Sequence, residues 1–188
     1  MTANKPGGFS VEVNTRGEAH FQDDFISILV QNDIPTCWLL RNVVNEETTY
    51  AAAVDRLKTT KIAGPVYFVV SGLKGNEGIV IERDSDKVHA AYELSDCTWY
   101  LVQTNYDRNQ PDPEHDQRRI PAENRLKKVG NEGLTEQVLF DTVMKQTPTL
   151  NLETIYTVTM VSSTGYHNTT VWYGQNPNPQ KSGQLMKE

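Results

Sequence analysis

The sequence predicts an α+β domain in which antiparallel sheet lies between layers of helices. Three observations support this prediction. Apolar residues recur at helical spacing before residue 64, short segments rich in Val, Ile, Tyr and Trp follow up to residue 105, and helical spacing returns after residue 120. Only a few residues join the strand-like segments, whereas a parallel crossover needs about a dozen or more. Neighbouring strands are therefore expected to run antiparallel.

The first elements are a strand and three helices. A strand with one buried face is expected at 7–14, where apolar and polar residues alternate. Helical spacing then covers the segments 22–32, 34–44 and 46–59. Pro35 is expected at the start of the second helix and Asn45 as the N-cap of the third.

A meander and a second helical region complete the domain. Four strands are expected over 64–72, 77–84, 87–94 and 98–105. Two helices and a closing hairpin are expected over 120–130, 135–147, 151–163 and 168–176. We expect one domain over residues 1–175 and a polar, disordered tail at 176–188.

The composition argues against several classes of function. A net charge of −6 and a pI of about 5.3 disfavour nucleic-acid binding, because phosphate contacts need clustered Lys and Arg. Two cysteines do not make a disulfide framework, and the four histidines have no second ligand at a spacing that predicts a metal site. Neither a metal nor a cofactor is expected. No stretch reads as a signal peptide or a transmembrane segment, so the chain is expected to be cytoplasmic if it is complete.

The stretch 98–121 places Asn105 at the end of a predicted strand and the pair Arg118 and Arg119 shortly after it. A carboxamide in that position can close the next turn or direct its N–H donors at a ligand. The arginines follow an acidic run, so local ion pairing is the alternative to a role in a binding site. The residues alone leave both alternatives open.

Longer segments carry a resemblance to a known family. "WYLVQTNYDR" followed by "DQRRIPA" resembles the signature of the acid ceramidase and N-acylethanolamine-hydrolysing acid amidase family, which are cysteine N-terminal-nucleophile hydrolases. "IPTCWLLRNVVNEETTYAAAVDRLKTTKIAGPVYFVVSG", "EGIVIERD" and "ETIYTVTMVSS" resemble successive pieces of the same catalytic chain. The resemblance covers roughly residues 6–175 and is closer to the acylethanolamine amidase branch. It implies an αββα sandwich of antiparallel sheets between helical layers, lacking its N-terminal strands.

The resemblance implies catalytic roles for Asn105 and Arg118. Asn105 matches a donor to the oxyanion of acyl transfer, and Arg118 matches an active-site arginine. The family's nucleophile is a cysteine exposed at the amino terminus by self-cleavage, in a segment upstream of everything matched here. Cys37, in a predicted helix, and Cys97, beside a core tryptophan, are not expected to replace it.

A second pair of pocket residues follows from the same resemblance. Thr15 aligns with a family glutamate, and Arg16 with the arginine next to it. Because this alignment can shift by a residue or two, Glu12 or Glu18 could supply the carboxylate instead.

The activity implied by the resemblance is hydrolysis of fatty-acyl amides, such as N-palmitoylethanolamine to a fatty acid and ethanolamine. Ceramide cleavage to sphingosine and fatty acid is one alternative, and a non-catalytic paralogue that binds an amidase partner or lipid is another. The chain is expected to be a truncated form that lacks the nucleophile and needs an amino-terminal segment or subunit. The family implies a lysosomal location; "NTT" from Asn168 fits the N-glycosylation pattern, which is also common by chance.

Overall fold

The computed structural model of this chain describes residues 1–17 and 33–172. The helix expected at 22–32 and the tail expected at 176–188 lie outside these residues. Within the described part, no helix is both long enough and apolar enough to cross a membrane.

The described residues form two compact units. The first contains Met1–Asp112 and Met160–Tyr166, and the second contains Pro113–Thr159 and the residues that follow Tyr166. The single domain expected over residues 1–175 stays a prediction. Each unit is described below by itself.

The first unit is built on a five-stranded antiparallel sheet whose spatial order, β1-β2-β3-β4-β5, is also the order along the chain. The strands are β1 (Thr2–Lys5), β2 (Phe9–Thr15), β3 (Val66–Ser71), β4 (Gly78–Arg83) and β5 (Val88–Glu93). β3 is the central strand, as its apolar residues on both faces predicted. β1 carries no sequence signal because "TANK" is polar. It forms because the turn at Gly7, with φ of 72°, folds Lys5 back onto Phe9.

Two helices cover one face of this sheet. They are α1 (Thr36–Glu46) and α2 (Tyr50–Thr59), and they confirm two of the predicted helices. Each helix buries an adjacent pair and the residue three or four positions later, which is the spacing that places side chains on one helical face. The core between helices and sheet contains Phe9, Val11, Leu39, Leu40, Val43, Ala53, Leu57, Phe68, Val70, Ile79 and Ile81.

The opposite face of the sheet carries polar side chains as well as Val69 and Val80. Side chains alternate along a strand, so Tyr67 and Glu82, which are direct partners on β3 and β4, point away from the helices. Ser10 and Ser71 share a hydrogen bond of 2.6 Å between their hydroxyls on the same face. This is the face on which the candidate site lies.

The second unit contains helices and part of a hairpin. Its helices are α3 (Arg119–Val129) and α4 (Glu136–Leu139), which continues as a π-helix over Phe140–Met144. The rings of Phe140 and Trp172 stack with centroids 6.1 Å apart. The predicted closing hairpin is formed by β6 (Tyr156–Val161) and β7 (Tyr166–Val171). The α+β class with antiparallel sheet is thus confirmed.

Two local predictions are wrong. Residues 98–105 do not form a strand, although they are rich in β-formers. Some backbone carbonyls that a neighbouring strand would bind are instead bound by a side chain. Gln103 Nε2 donates to the carbonyls of Thr104 and Tyr106, at 2.9 and 3.0 Å. The N-cap of α2 is Thr49, whose hydroxyl accepts from the backbone N of Ala52, whereas Asn45 lies inside α1.

Candidate active site

Register places two charged residues at the same end of the sheet. Thr15, the last residue of β2, lies opposite Val66, which lies opposite Arg83, the last residue of β4. The residues that follow directly, Arg16 and Asp84, therefore emerge side by side. The hydrogen bond between Arg16 Nη1 and Asp84 Oδ1, 2.5 Å long, follows from this arrangement.

Arg16 also joins the sheet to the loop that follows residue 98. Its Nε and Nη2 donate to Oδ1 and Oδ2 of Asp107, at 2.6 and 2.8 Å, so the pair is bidentate. The Arg16 side chain is 12% exposed and that of Asp107 is 23% exposed. The guanidinium holds the pKa of Asp107 below its ordinary value, and the bond to Asp107 raises the pKa of Arg16. Both groups are held in their charged forms.

Two further side chains approach these carboxylates. The hydroxyl of Tyr67 donates to Asp107 Oδ1 at 2.8 Å. Burial, and then the bond to Asp107, raise the pKa of Tyr67. The ring of His89 lies between the two aspartates, with Nδ1 3.8 Å from Asp84 Oδ2 and Nε2 3.8 Å from Asp107 Oδ2.

Asn105 lies at the start of this anchored loop. Its Nδ2 donates to the backbone carbonyl of Thr15 at 3.0 Å, so the end of β2 orients the carboxamide. The Asn105 carboxamide can both bind backbone and donate to a ligand, because an amide nitrogen carries two hydrogens. On the other side of Asp107, the backbone N of Arg108 donates to Glu82 Oε1 at 2.8 Å. The loop is thus bonded at Asn105, Asp107 and Arg108 to β2, to the residue that follows β2, and to β4.

Glu82 is a fully buried carboxylate on β4. Its Oε1 accepts from Arg108, while its Oε2 is buried and has no hydrogen-bond partner within residues 1–17 and 33–172. The Arg108 guanidinium is directed elsewhere: it lies over the ring of Tyr92, 5.2 Å from the centroid, and Nη1 donates to the carbonyl of Val102.

Arg118 belongs to the second unit, at the N-cap position of α3. Its Nε and Nη2 donate to the two oxygens of Asp116, at 2.5 and 2.7 Å. The local ion pair considered for this arginine is therefore present. Whether Arg118 and Asn105 share one pocket stays a prediction.

The other predicted residues have the following places. Thr15 is exposed and contributes its carbonyl, Glu12 lies on β2 with a pKa raised by burial, and Glu18 lies outside the described residues. Asn168 is exposed on β7.

The sequence indicated no role for several members of the cluster. Asp107 lies inside the quoted "TNYDR", and its position two residues after Asn105 was the available signal. Asp84, Tyr67, His89 and Glu82 have no spacing motif. Only the pairing of β2, β3, β4 and β5 brings them together.

Comparisons with known proteins identify the family. No family model matches the chain. The N-acylethanolamine-hydrolyzing acid amidase of Oryctolagus cuniculus is 35% identical over 85% of this chain and 45% of its own length. The acid ceramidase of Homo sapiens is 34% identical over 90% of this chain and 44% of its own length. The chain thus spans about half the length of the curated relatives it matches.

A solved structure gives the same result over a larger share of the relative. The N-acylethanolamine-hydrolyzing acid amidase ortholog of Caenorhabditis elegans superimposes with a TM-score of 0.73 and 31% identity. The match covers 86% of this chain and 69% of that one. The chain therefore belongs to the N-acylethanolamine-hydrolysing acid amidase and acid ceramidase family of N-terminal-nucleophile hydrolases.

Proposed function

We propose that this chain is the carboxy-terminal portion of an amidase that hydrolyses fatty-acyl amides, with N-acylethanolamines such as N-palmitoylethanolamine as substrates. The products are a fatty acid and ethanolamine. One observation carries the proposal: the Asn105 carboxamide, bonded to Thr15, begins a loop that the Arg16–Asp107 pair holds rigidly on the sheet of an amidase-family chain.

Asn105 is proposed as a donor to the oxyanion. Attack of a thiolate on the amide carbon places negative charge on the carbonyl oxygen, and a donor fixed in advance stabilises that charge. The side-chain amide of Asn105 would make this bond. Loss of one such donor typically raises the barrier by about 3 kcal/mol.

Arg118 is proposed as the fixed positive charge of the pocket. Its bidentate bond to Asp116 sets the direction of the guanidinium, which is the property that positioning of substrate or thiol requires. By the same family resemblance, Thr15 and Arg16 are proposed as pocket residues. Arg16 acts there through the loop, because both of its acidic partners hold it in place.

The nucleophile is proposed to come from polypeptide outside this sequence. Cys37 is the second residue of α1 and Cys97 lies in the turn after β5, so the amines of both are in peptide bonds. A cysteine of this class needs a free α-amine as its base. The amine product leaves with a proton, and water then hydrolyses the thioester. An amino-terminal segment or subunit is thus the proposed partner.

A mildly acidic compartment, the lysosome, is the proposed location. The depressed pKa of Asp107 keeps the Arg16–Asp107 pair charged at pH values where an ordinary carboxylate begins to protonate. The names of the relatives, acid amidase and acid ceramidase, agree with this. In this location Asn168, exposed on β7, would be accessible to glycosylation.

Two alternatives remain as proposals. Ceramide is the alternative substrate, because acid ceramidases match the chain almost as well as the amidases do. A non-catalytic paralogue that binds an amidase or lipid is favoured by Thr15, which stands where the family resemblance places a glutamate.

The test measures release of ethanolamine from N-palmitoylethanolamine and of sphingosine from ceramide at acidic pH. The chain alone is expected to be inactive. Co-expression with the amino-terminal part of the rabbit amidase is expected to give turnover, and Asn105→Ala is expected to lower kcat about 10²- to 10³-fold. Asn76→Ala, an exposed asparagine between β3 and β4, is the matched control and leaves kcat unchanged.

Two outcomes contradict the proposal. Turnover by the chain alone that disappears in Cys37→Ser or Cys97→Ser would assign the nucleophile to this sequence. A stable complex with the added segment that turns over neither substrate would favour the non-catalytic alternative.

A further inference from the structure

Glu82, His89 and Asp107 form a group of potential cation ligands in the first unit. One ligand atom from each side chain lies within 4.8 Å of the other two. The three residues come from three different elements, which are β4, β5 and the loop after residue 98. His89 Nε2 and Asp107 Oδ2 are 3.8 Å apart.

The distances are close to those of a coordination sphere. Around a tetrahedral zinc ion with bonds of about 2.0 Å, ligand atoms are about 3.3 Å apart. Small side-chain rotations would close the remaining gap. His89 can make such a rotation because its side chain is 41% exposed.

The buried carboxylate of Glu82 is an independent sign of a ligand. Glu82 is 0% exposed, and its Oε2 has no hydrogen-bond partner in the part of the chain that the structure describes. An unpaired buried carboxylate oxygen is costly, and paired or metal-coordinating arrangements are the usual solutions. The neighbouring hydrogen bond from the Arg108 backbone satisfies Oε1 only.

The charge of the cluster also favours a cation. Three carboxylates, those of Glu82, Asp84 and Asp107, converge here, and the guanidinium that contacts two of them is that of Arg16. The Arg108 guanidinium is directed at Tyr92 and Val102. Asp84 and Asp107 share the Arg16 guanidinium, so a bound cation would add a favourable charge to the cluster.

We propose that Glu82, His89 and Asp107 bind a divalent transition-metal cation, with Zn²⁺ as the best match. An imidazole with two carboxylates suits zinc, whereas Ca²⁺ and Mg²⁺ prefer oxygen ligands alone. Arg16 and Tyr67 both donate to Asp107 and orient it as a ligand, which is the usual outer arrangement around a metal site. A fourth position remains for water.

The proposed metal site has no part in the amidase chemistry, and its role is to stabilise the fold. It connects β4 and β5 to the loop that carries Asn105, so bound metal stabilises this loop. The sequence predicts no metal site, because residues 82, 89 and 107 follow no ligand spacing. Only the antiparallel pairing of β4 with β5 and the return of the loop bring them together.

The test is isothermal titration of the purified, untagged chain with ZnCl₂, after removal of metal with a chelator. One saturable site is expected, and the melting temperature is expected to rise with zinc concentration. Glu82→Gln and His89→Asn are each expected to lower the association constant at least ~10-fold. His115→Asn and Glu93→Gln, which alter exposed residues outside the cluster, are the matched controls and keep the wild-type constant.

His89→Asn keeps the test decisive if Glu82→Gln fails to fold, because His89 is exposed. Circular dichroism of each variant establishes that it is folded. No saturable binding by the wild-type chain would overturn the proposal. Equal affinities of wild type and His89→Asn would also overturn it, since zinc would then be bound elsewhere.

Discussion

Arg16 donates two hydrogen bonds to the two carboxylate oxygens of Asp107 and a third to Asp84. One guanidinium thus connects the end of β2, the end of β4 and the loop that begins at Asn105. Asn105 is also bonded to Thr15, the neighbour of Arg16, so this arginine helps to set the geometry of the proposed oxyanion donor.

The first prediction concerns the strength of the Arg16–Asp107 pair. A double-mutant cycle of Arg16→Met and Asp107→Asn is expected to give a coupling of about 2 kcal/mol in the free energy of unfolding, because the pair is bidentate and mostly buried. Urea denaturation measures it. The Lys74–Glu77 pair, 3.6 Å long with Lys74 77% exposed, is the control and should show a much weaker coupling, because water screens an exposed pair. Equal coupling of the two pairs would show that Arg16 does not fasten the loop.

The second prediction concerns how the stability contributed by Asp107 changes at acidic pH. The pKa of Asp107 is depressed in the folded state, so its contribution to stability is complete above its ordinary pKa of 3.8 and is lost as the pH falls below that value. The difference in unfolding free energy between wild type and Asp107→Asn should therefore be constant at mildly acidic pH and shrink below 3.8.

The difference in unfolding free energy also distinguishes Asp107 from Glu12, whose pKa is shifted in the opposite direction. Burial raises the pKa of Glu12, so Glu12 favours the folded state at low pH and loses that contribution as the pH rises through its folded pKa. This contribution is common to both proteins and cancels in the difference. A difference that grows on acidification would contradict the assignment of the charged pair.

The elements of the fold were largely predictable because they rest on local periodicity. Pro35 marks the start of α1, and the alternation of β2 marks its buried face. The prediction for 98–105 was wrong because a strand needs a neighbour, and composition does not reveal whether one is present. Asn105 entered the candidate site through family resemblance. Glu82 was missed, because its importance depends on which strands pair.

The third prediction concerns the N-cap of α2, which the sequence placed at Asn45 and the structure places at Thr49. Thr49→Ala is expected to destabilise the protein by about 1 kcal/mol, since the Thr49 hydroxyl caps α2 by accepting from the Ala52 backbone N at 3.2 Å. Asn45→Ala is the matched control, because Asn45 was the cap expected from sequence and is instead an exposed residue of α1. It should change stability by less than about 0.5 kcal/mol. Thermal and urea unfolding of both variants measure the difference, and the reverse order would restore the original prediction.

The fourth prediction concerns Arg83, the last residue of β4. Its side chain is fully buried, and its guanidinium donates to carbonyls at the end of α2, including Leu57 at 2.7 Å and Thr60 at 2.8 Å. Arg83 therefore takes the place of the backbone donors that a helix end lacks. Desolvation lowers the pKa of Arg83, and hydrogen bonds to charged donors offset this cost of burial.

Arg83→Met keeps much of the side-chain length but leaves these buried carbonyls without donors. We expect a loss of about 3 kcal/mol or more in the free energy of unfolding. Arg56→Met is the control: Arg56 pairs with Glu46 and Glu47 at the surface, and its removal should cost no more than about 1 kcal/mol. Hydrogen exchange should show the loss of protection at the end of α2 in Arg83→Met alone, because the Arg83 guanidinium donates to the carbonyls there. Uniform loss of protection over the first unit would instead assign Arg83 a role in core packing.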